Sequence, residues 1–452
     1  MTGTRNGPVA ATFQESVPMS SKTITPGTNE EARPGLVPKL RFPAFRGAKG
    51  WLPVTLQNAS TPVTERVGER KLTPVSISAG IGFVPQAEKF GRDISGNQYQ
   101  LYTLVSDGDF VYNKGNSLKF PQGCVYQLQD WGQVAAPNVF LCFRLKEGYS
   151  DVFFQKCFEQ NLHGKQLKKY ITSGARSNGL LNISKEKFYG IEIPTPSHAE
   201  QKKIAECLSS VDELVAAQAR KVDALKTHKH GLMQQLFPRE GETQPRARLP
   251  QFQSTGEWNT KKLGSFCKVG DIDHKMPSSV VDGVPYVMTG DFFGINGIDY
   301  KNAKKVSQED YEKLSKKIKP EFGDIAIARY ASVGAVRYIE ARIKFLISYS
   351  CAIIKCSKSE CSMYIYYALQ SDAIQSRISL EVNPSSQKNI GIDSIKNLMI
   401  FLPPLPEQEE IAECFAAVDA LITAETQELE VLKTHKKALM QQLFPSAEEM
   451  EA

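Results

Sequence analysis

Apolar residues recur along two stretches of the chain in alternating steps of four and three, the spacing of a single helical face. The first stretch visits Ile204, Leu208, Val211, Val215, Val222, Leu225, Leu232 and Leu236, with Gln218 and Lys229 as polar exceptions. The second visits Ile411, Phe415, Val418, Ile422, Leu429, Leu432, Leu439 and Leu443, with Glu425 and Lys436 at the matching places. This spacing predicts two long helices, over 200–238 and 407–445, each with one narrow apolar seam. Both follow a Pro-containing stretch (Pro194, Pro196; Pro403, Pro404, Pro406) and stop at Phe-Pro, because proline removes a backbone donor and blocks the preceding turn. About 35 helical residues at 1.5 Å each make a rod of roughly 50 Å. So narrow a stripe is best covered by another like it, and the seam residues are assigned to helix pairing.

The seams belong to a larger duplication. Residues 200–238 (EQKKIAECLSSVDELVAAQARKVDALKTHKHGLMQQLFP) align without gaps with 407–445 (EQEEIAECFAAVDALITAETQELEVLKTHKKALMQQLFP), with about 22 of 39 positions identical. The offset is 207, and it also places Arg41-Phe-Pro-Ala-Phe45, Trp51 and Leu56 on Arg248-Leu-Pro-Gln-Phe252, Trp258 and Leu263. Between these ends the halves barely resemble each other, apart from echoes such as Asn182-Ile183 against Asn389-Ile390. Within them, residues 138–145 (NVFLCFRL), 324–330 (DIAIARY) and 345–355 (FLISYSCAIIK) are β-branched and aromatic and predict strands, while 151–162 and 362–380 carry helical patterns. The expected fold is α+β: two pseudo-symmetric domains, 37–199 and 247–406, separated by two long helices packed as an antiparallel coiled coil, with a polar linker at 239–246. Residues 1–36, rich in Pro, Ser, Thr and Gly, predict a disordered tail, and 446–452 a second, short tail.

Composition narrows the class. A chain of 452 residues with 41% hydrophobic and 23% charged can bury several cores, and no window approaches 18 uninterrupted apolar residues. With no apolar run at the N-terminus to act as a leader, a cytoplasmic chain is expected, with no membrane contact. Its nine cysteines read as small buried hydrophobes; Cys351, Cys356 and Cys361 are spaced by five, which matches no zinc pattern. The net charge of +6 is unevenly spread. Residues 38–199 carry 20 Lys+Arg against 12 Asp+Glu and residues 245–406 carry 22 against 16, so both divergent domains are basic. The first helix has 6 against 5 and the second 3 against 8, a bias that favours pairing with each other over pairing with copies.

Two basic domains suit a ligand with two acidic contact regions, and double-stranded DNA fits. The candidate DNA-binding residues of the first domain are Lys114, Asn116 and Lys119, then Lys165, Lys168, Lys169 and Tyr170, leading into a Gly-rich loop with Arg176 and Asn178. In the second domain they are His274, Lys275, Arg329 and Tyr330, with Gln387, Lys388 and Asn389 before the Pro-rich stretch. Arg, Asn and Gln can read base edges with paired hydrogen bonds, while Lys more often positions phosphates. No Asn- or Asp-Pro-Pro-aromatic motif, Gly-x-Gly-x-x-Gly or phosphate loop is found, so no catalytic residues are assigned; the six scattered histidines offer no metal site. His228 and His435, at equivalent places in Lys-Thr-His-Lys, are given a structural or partner-contact role.

The twofold arrangement of Phe-Pro-x-Phe…Trp, a divergent domain, Glu-Gln-x-x-Ile-Ala and a long helix ending Lys-Thr-His-Lys…Leu-Met-Gln-Gln-Leu-Phe-Pro resembles the DNA specificity subunits of type I restriction–modification systems, over about residues 38–445. Phe110-Val-Tyr-Asn-Lys-Gly-Asn-Ser117 and Gly323-Asp-Ile-Ala-Ile-Ala-Arg329 are similar to pieces of that family's target recognition domains. The resemblance implies a chain that is non-catalytic on its own. Each recognition domain would read one half of a split, asymmetric DNA sequence, and the helices would fix the spacer while docking two modification subunits. It further implies adenine-N6 methyltransferase partners using S-adenosylmethionine and flipping the target base, and restriction subunits using ATP and Mg2+. Two other readings are a coiled-coil structural adaptor with basic domains and the specificity subunit of a differently arranged, type II-like restriction system.

Overall fold

The computed structural model describes residues 35–115, 120–171, 181–382 and 388–445, so the expected terminal tails lie almost wholly outside the described residues. The chain forms two compact units. Among the described residues, one comprises those from Gly35 to Tyr149, Cys157–Gln201, Phe444 and Pro445; the other comprises Ser150–Lys156 and Lys202–Leu443.

In the first unit a four-stranded sheet runs in the order Ser60–Pro62, Leu141–Leu145, Phe110–Asn113, Cys124–Gln127. A second sheet has the order Gly82–Pro85, Thr73–Ser78, Gln133–Ala136, Thr103–Ser106, with its two central strands parallel. Alternation along these short strands sends Val75, Ile77, Val105, Val111 and Val134 into one core. A second cluster is aromatic: Phe110 stacks on Phe143 at 5.3 Å and Tyr112 on Phe188 at 4.3 Å.

The second unit repeats the first of these sheets with unrelated residues, and its other sheet has three strands where the first unit's has four. Its four-stranded sheet has the order Cys267–Gly270, Cys351–Cys356, Ile325–Ala328, Val336–Tyr338, and its other sheet pairs Lys304–Val306, Val284–Val287 and Leu346–Ile347, again with one parallel pair. The run 345–355, expected as one strand, is two. Ser348 Oγ accepts from Ser350 N at 3.1 Å, a local side-chain bond that competes with the ladder and turns the chain at Tyr349. The expected helix over 362–380 is likewise Ser362–Ala368 and Asp372–Leu380, broken at Ser371, which has extended backbone angles.

The repeated sequence ends have a common use. Arg41 clasps Glu200 through Nε and Nη2, both at 2.7 Å, and Trp51 Nε1 donates to the same carboxylate at 3.2 Å. Arg248 clasps Glu407 in the same way, at 2.9 and 2.5 Å. The neighbouring amides Gln201 and Gln408 donate back to the carbonyls of Pro196 and Pro403, at 3.0 and 2.9 Å. Glu-Gln-x-x-Ile-Ala is therefore a lock between a half's first segment and the start of its long helix. Those helices span His198–Leu236 and Leu405–Leu443, 39 residues each and roughly 58 Å long, beginning two residues before the seam pattern places them.

Within the second unit the helices run antiparallel. Gln218 Nε2 donates to Glu425 Oε2 at 2.7 Å, Lys229 pairs with Asp419 at 2.7 Å, and Lys436 pairs with Asp212. The polar exceptions in the two seams thus meet each other or an aspartate on the facing helix. Every assigned seam residue is buried or half-buried. A fully buried side chain of this kind contributes about 1.5–3 kcal/mol before ordering costs. His228 and His435 are exposed, which removes a packing role for them; the lysine one residue on joins the helices.

Candidate nucleic-acid interface

In the second unit the strand Ile325–Ala328 delivers Arg329 and Tyr330 at its end, and three other segments converge there. Residues 388–390 approach through an isolated bridge between Tyr330 and Asn389, with Ile390 N donating to Arg329 O at 3.0 Å. The turn at Tyr349 approaches because Arg329 N donates to Ser350 O at 2.8 Å. The loop after Cys267–Gly270 brings Asp271 and His274. Ala331, with φ of 59°, then bends the chain sharply away, a conformation that costs a non-glycine residue about 1–2 kcal/mol.

Asp271 is the electrostatic centre. His274 Nε2 lies 2.9 Å from its Oδ2, Lys317 Nζ donates to its Oδ1 at 3.1 Å, and Arg329 Nη1 forms a short ion pair with it. Burial pushes the Asp271 carboxyl up, but the hydrogen bonds from His274 and Lys317 and the charge of Arg329 outweigh this and hold it below its ordinary range. Arg329 is 6% exposed and spends donors on Asp271 and the carbonyl of Ile390, at 3.1 Å. In this arrangement it braces the loops, whereas the sequence marks it for direct DNA contact. The rings stack above: His274 lies on Tyr349 at 4.9 Å and 21°, and Tyr330 meets Tyr349 edge-on at 6.5 Å. Lys275 and Lys388 are exposed. Gln387 lies outside the described residues.

The first unit presents the matching strand end. Phe110–Asn113 leads into the half-buried Lys114, whose carbonyl accepts from Leu181 N at 2.9 Å, just as Arg329 O accepts from Ile390. Lys165, Lys168 and Lys169 are exposed, and Tyr170 lies between two ammonium groups, Lys169 at 5.2 Å and Lys187 at 4.6 Å from its ring centre. Asn116, Lys119, Arg176 and Asn178 lie outside the described residues. Sequence reasoning missed Asp271, Lys317, Tyr349 and Lys187. Tyr349 carried one signal, as the polar break in an otherwise apolar run; Lys317 carried none, being one of several lysines on a solvated stretch. Among the described residues no group of His, Cys, Asp or Glu could hold a metal ion, and no helix is long and apolar enough to cross a membrane.

Comparison with known proteins adds a family. The profile described as the type I restriction modification DNA specificity domain matches residues 139–227 and 255–434, more than half of the chain. A Methanocaldococcus jannaschii protein named for the specificity subunit of the type I restriction enzyme MjaX is 27% identical over 370 residues, covering 78% of this chain and 81% of the relative. The type I restriction enzyme MjaVIII specificity subunit of the same organism is 24% identical over 290 residues, covering 62% and 67%. Among solved structures, a type I restriction-modification S subunit from M. genitalium shares the fold with a TM-score of 0.54 at 15% identity, covering 91% of this chain and 100% of that one. A chain from a structure of complex assembly in the type I R-M system gives 0.53 at 17%, covering 88% and 98%.

Proposed function

Because this chain belongs to the type I restriction–modification DNA specificity family, we propose that its two recognition domains each read one part of a split, asymmetric DNA target while the paired helices set the distance between the parts. The observation that carries this reading is a shared scaffold with different reading edges. The locks repeat at an offset of 207 and the four-stranded sheet that carries each edge repeats in strand order, yet one strand end offers Lys114 and the other Tyr330 and a tyrosine–histidine stack. Two copies of one reader would suit a symmetric site; two different edges suit an asymmetric one. Exposed Lys165, Lys168, Lys169, Lys275 and Lys388 are suited to phosphates, and the aromatic and amide groups beside them to base edges.

The chain acts as the reader in this proposal, and chemistry comes from its partners. Two modification subunits would dock on the helices, supplying adenine-N6 methylation with S-adenosylmethionine, and restriction subunits would supply ATP- and Mg2+-dependent translocation and cleavage. Single-molecule methylation mapping of a host expressing the chain with its modification partner tests the reading. A bipartite motif with unlike halves is expected, and it should change at one half when residues 247–406 are exchanged for those of a relative. Methylation without sequence preference, or a motif indifferent to the exchange, would refute it.

A further inference from the structure

We propose that Asp271 is a positioning residue for sequence discrimination by the second recognition domain: its carboxylate gathers cations from separate loops and fixes the arrangement of the reading edge. The inference rests on the DNA-reading function above and deepens it.

Asp271 is 6% exposed, too enclosed to meet a polyanion, which it would in any case repel. Of its three side-chain partners only His274 is close in sequence; Lys317 lies 46 residues away and Arg329 lies 58 away. Through Arg329 the carboxylate reaches two further segments, since that guanidinium also donates to the carbonyls of Ile390 and Tyr349, at 3.1 and 3.4 Å. Lys317 in addition lies 3.9 Å from the exposed Asp273. The rings that would touch bases, His274, Tyr349 and Tyr330, therefore belong to segments held by bonds that converge on one carboxylate. Without it, Arg329 is a buried charge lacking its counterion, a state that drives local rearrangement. The exposed lysines that would neutralise phosphates, Lys275 and Lys388, make no bond to Asp271 in the structure. Discrimination and non-specific affinity should therefore separate. Among the described residues, the position of the first domain at the same offset is Thr64, exposed and uncharged, so the first half-site serves as an internal control.

The test uses the full chain assembled with its modification subunits and short duplexes carrying the mapped target, or the target with either half replaced. Asp271→Asn should lower discrimination at one half-site about tenfold, the size of one lost base contact, leave the other half-site unchanged and keep the salt dependence of binding. Asp271→Glu keeps the charge but displaces it by one methylene; it should melt close to the wild type and lose discrimination at the same half-site, which keeps the proposal testable if the asparagine variant does not fold. Unchanged discrimination in both variants would overturn the proposal, as would an equal loss at both half-sites accompanied by lower melting. A wild-type complex with no preference at either half would instead remove the DNA-reading function, and the proposal with it.

Discussion

His163 sits wholly enclosed in the first unit, edge-on to Tyr112 at 6.1 Å and to Phe158 at 5.7 Å. Burial pushes its pKa down to about 4, against a weaker opposing pull from the backbone of Gly123. An unfolded histidine titrates near 6.5, so between about 6.5 and about 4 the unfolded chain binds a proton that the native chain refuses. Stability is then complete above about pH 6.5 and falls by about 1.4 kcal/mol per unit as pH drops through that window. Replacing His163 with Leu should flatten this slope, as followed by denaturant unfolding from pH 7 to pH 5; equal slopes in the two proteins would refute it. Lys388 acts at the opposite extreme of exposure. Its replacement by Ala should weaken binding to all DNA sequences alike and reduce the salt slope by about one, whereas Arg176→Ala, if that side chain reads a guanine, should cost about 1–3 kcal/mol and relax one target position. Competition titrations at several salt concentrations check both, and unaltered binding in both variants would remove these residues from the interface.

The paired helices combine an apolar seam with polar crossings that have a direction. Glu425 takes Lys221 at 2.7 Å and Gln218 at 2.7 Å, while Arg220, one residue around the helix from Lys221, is exposed. Arg220→Ala should accordingly leave the register and stability within about 0.5 kcal/mol of wild type. A charge at Val222 or Leu429, both buried, should cost about 3 kcal/mol or more, the cost of burying a charge among apolar side chains. Thermal melting of the three variants checks the order, which fails if Val222→Asp melts like Arg220→Ala. Acid should loosen the same crossings: the hydrogen bonds from Lys221 and Gln218 hold the Glu425 carboxyl low, and those from Lys156 and Lys436 hold Asp212 low despite its burial. Depressed carboxylates contribute fully above their ordinary pKa of about 4 and lose that contribution as pH falls below it, a window distinct from that of His163. These elements were legible because a seam repeats every few residues and a duplication repeats whole motifs. The sheet topology shared by the two middles was not, since strand order depends on packing between residues far apart, and unlike residues such as Phe110-Val-Tyr-Asn113 and Ile325-Ala-Ile-Ala328 fill the same slot. For the same reason the sequence could nominate Arg329 but not foresee that Asp271 would claim its guanidinium.

At the scale of the whole chain, the proposed function needs helices that act as a spacer, and the locks say how such a spacer must be lengthened. The first helix begins at the Arg41–Glu200 clasp, and the second ends where Phe444 packs edge-on to Trp51 at 5.9 Å, both within the first unit. Four residues inserted after Glu206 add about 6 Å and about 400° of rotation, only about 40° beyond a full turn, so the apolar stripe stays nearly in line. That insertion alone lengthens one helix of an antiparallel pair and not the other. It also draws Asp212 away from Lys156, a 2.7 Å pair. A single insertion should therefore lower the melting temperature, and a matched insertion after Met440, the facing stretch of the antiparallel partner, should restore much of it. With both in place, 6 Å corresponds to between one and two base pairs of duplex at about 3.4 Å each. Methylation mapping of the doubly lengthened chain should return both original half-sites with a spacer longer by one or two base pairs. An unchanged spacer, or altered half-sites, would show that the helices do not set the distance between the domains' targets.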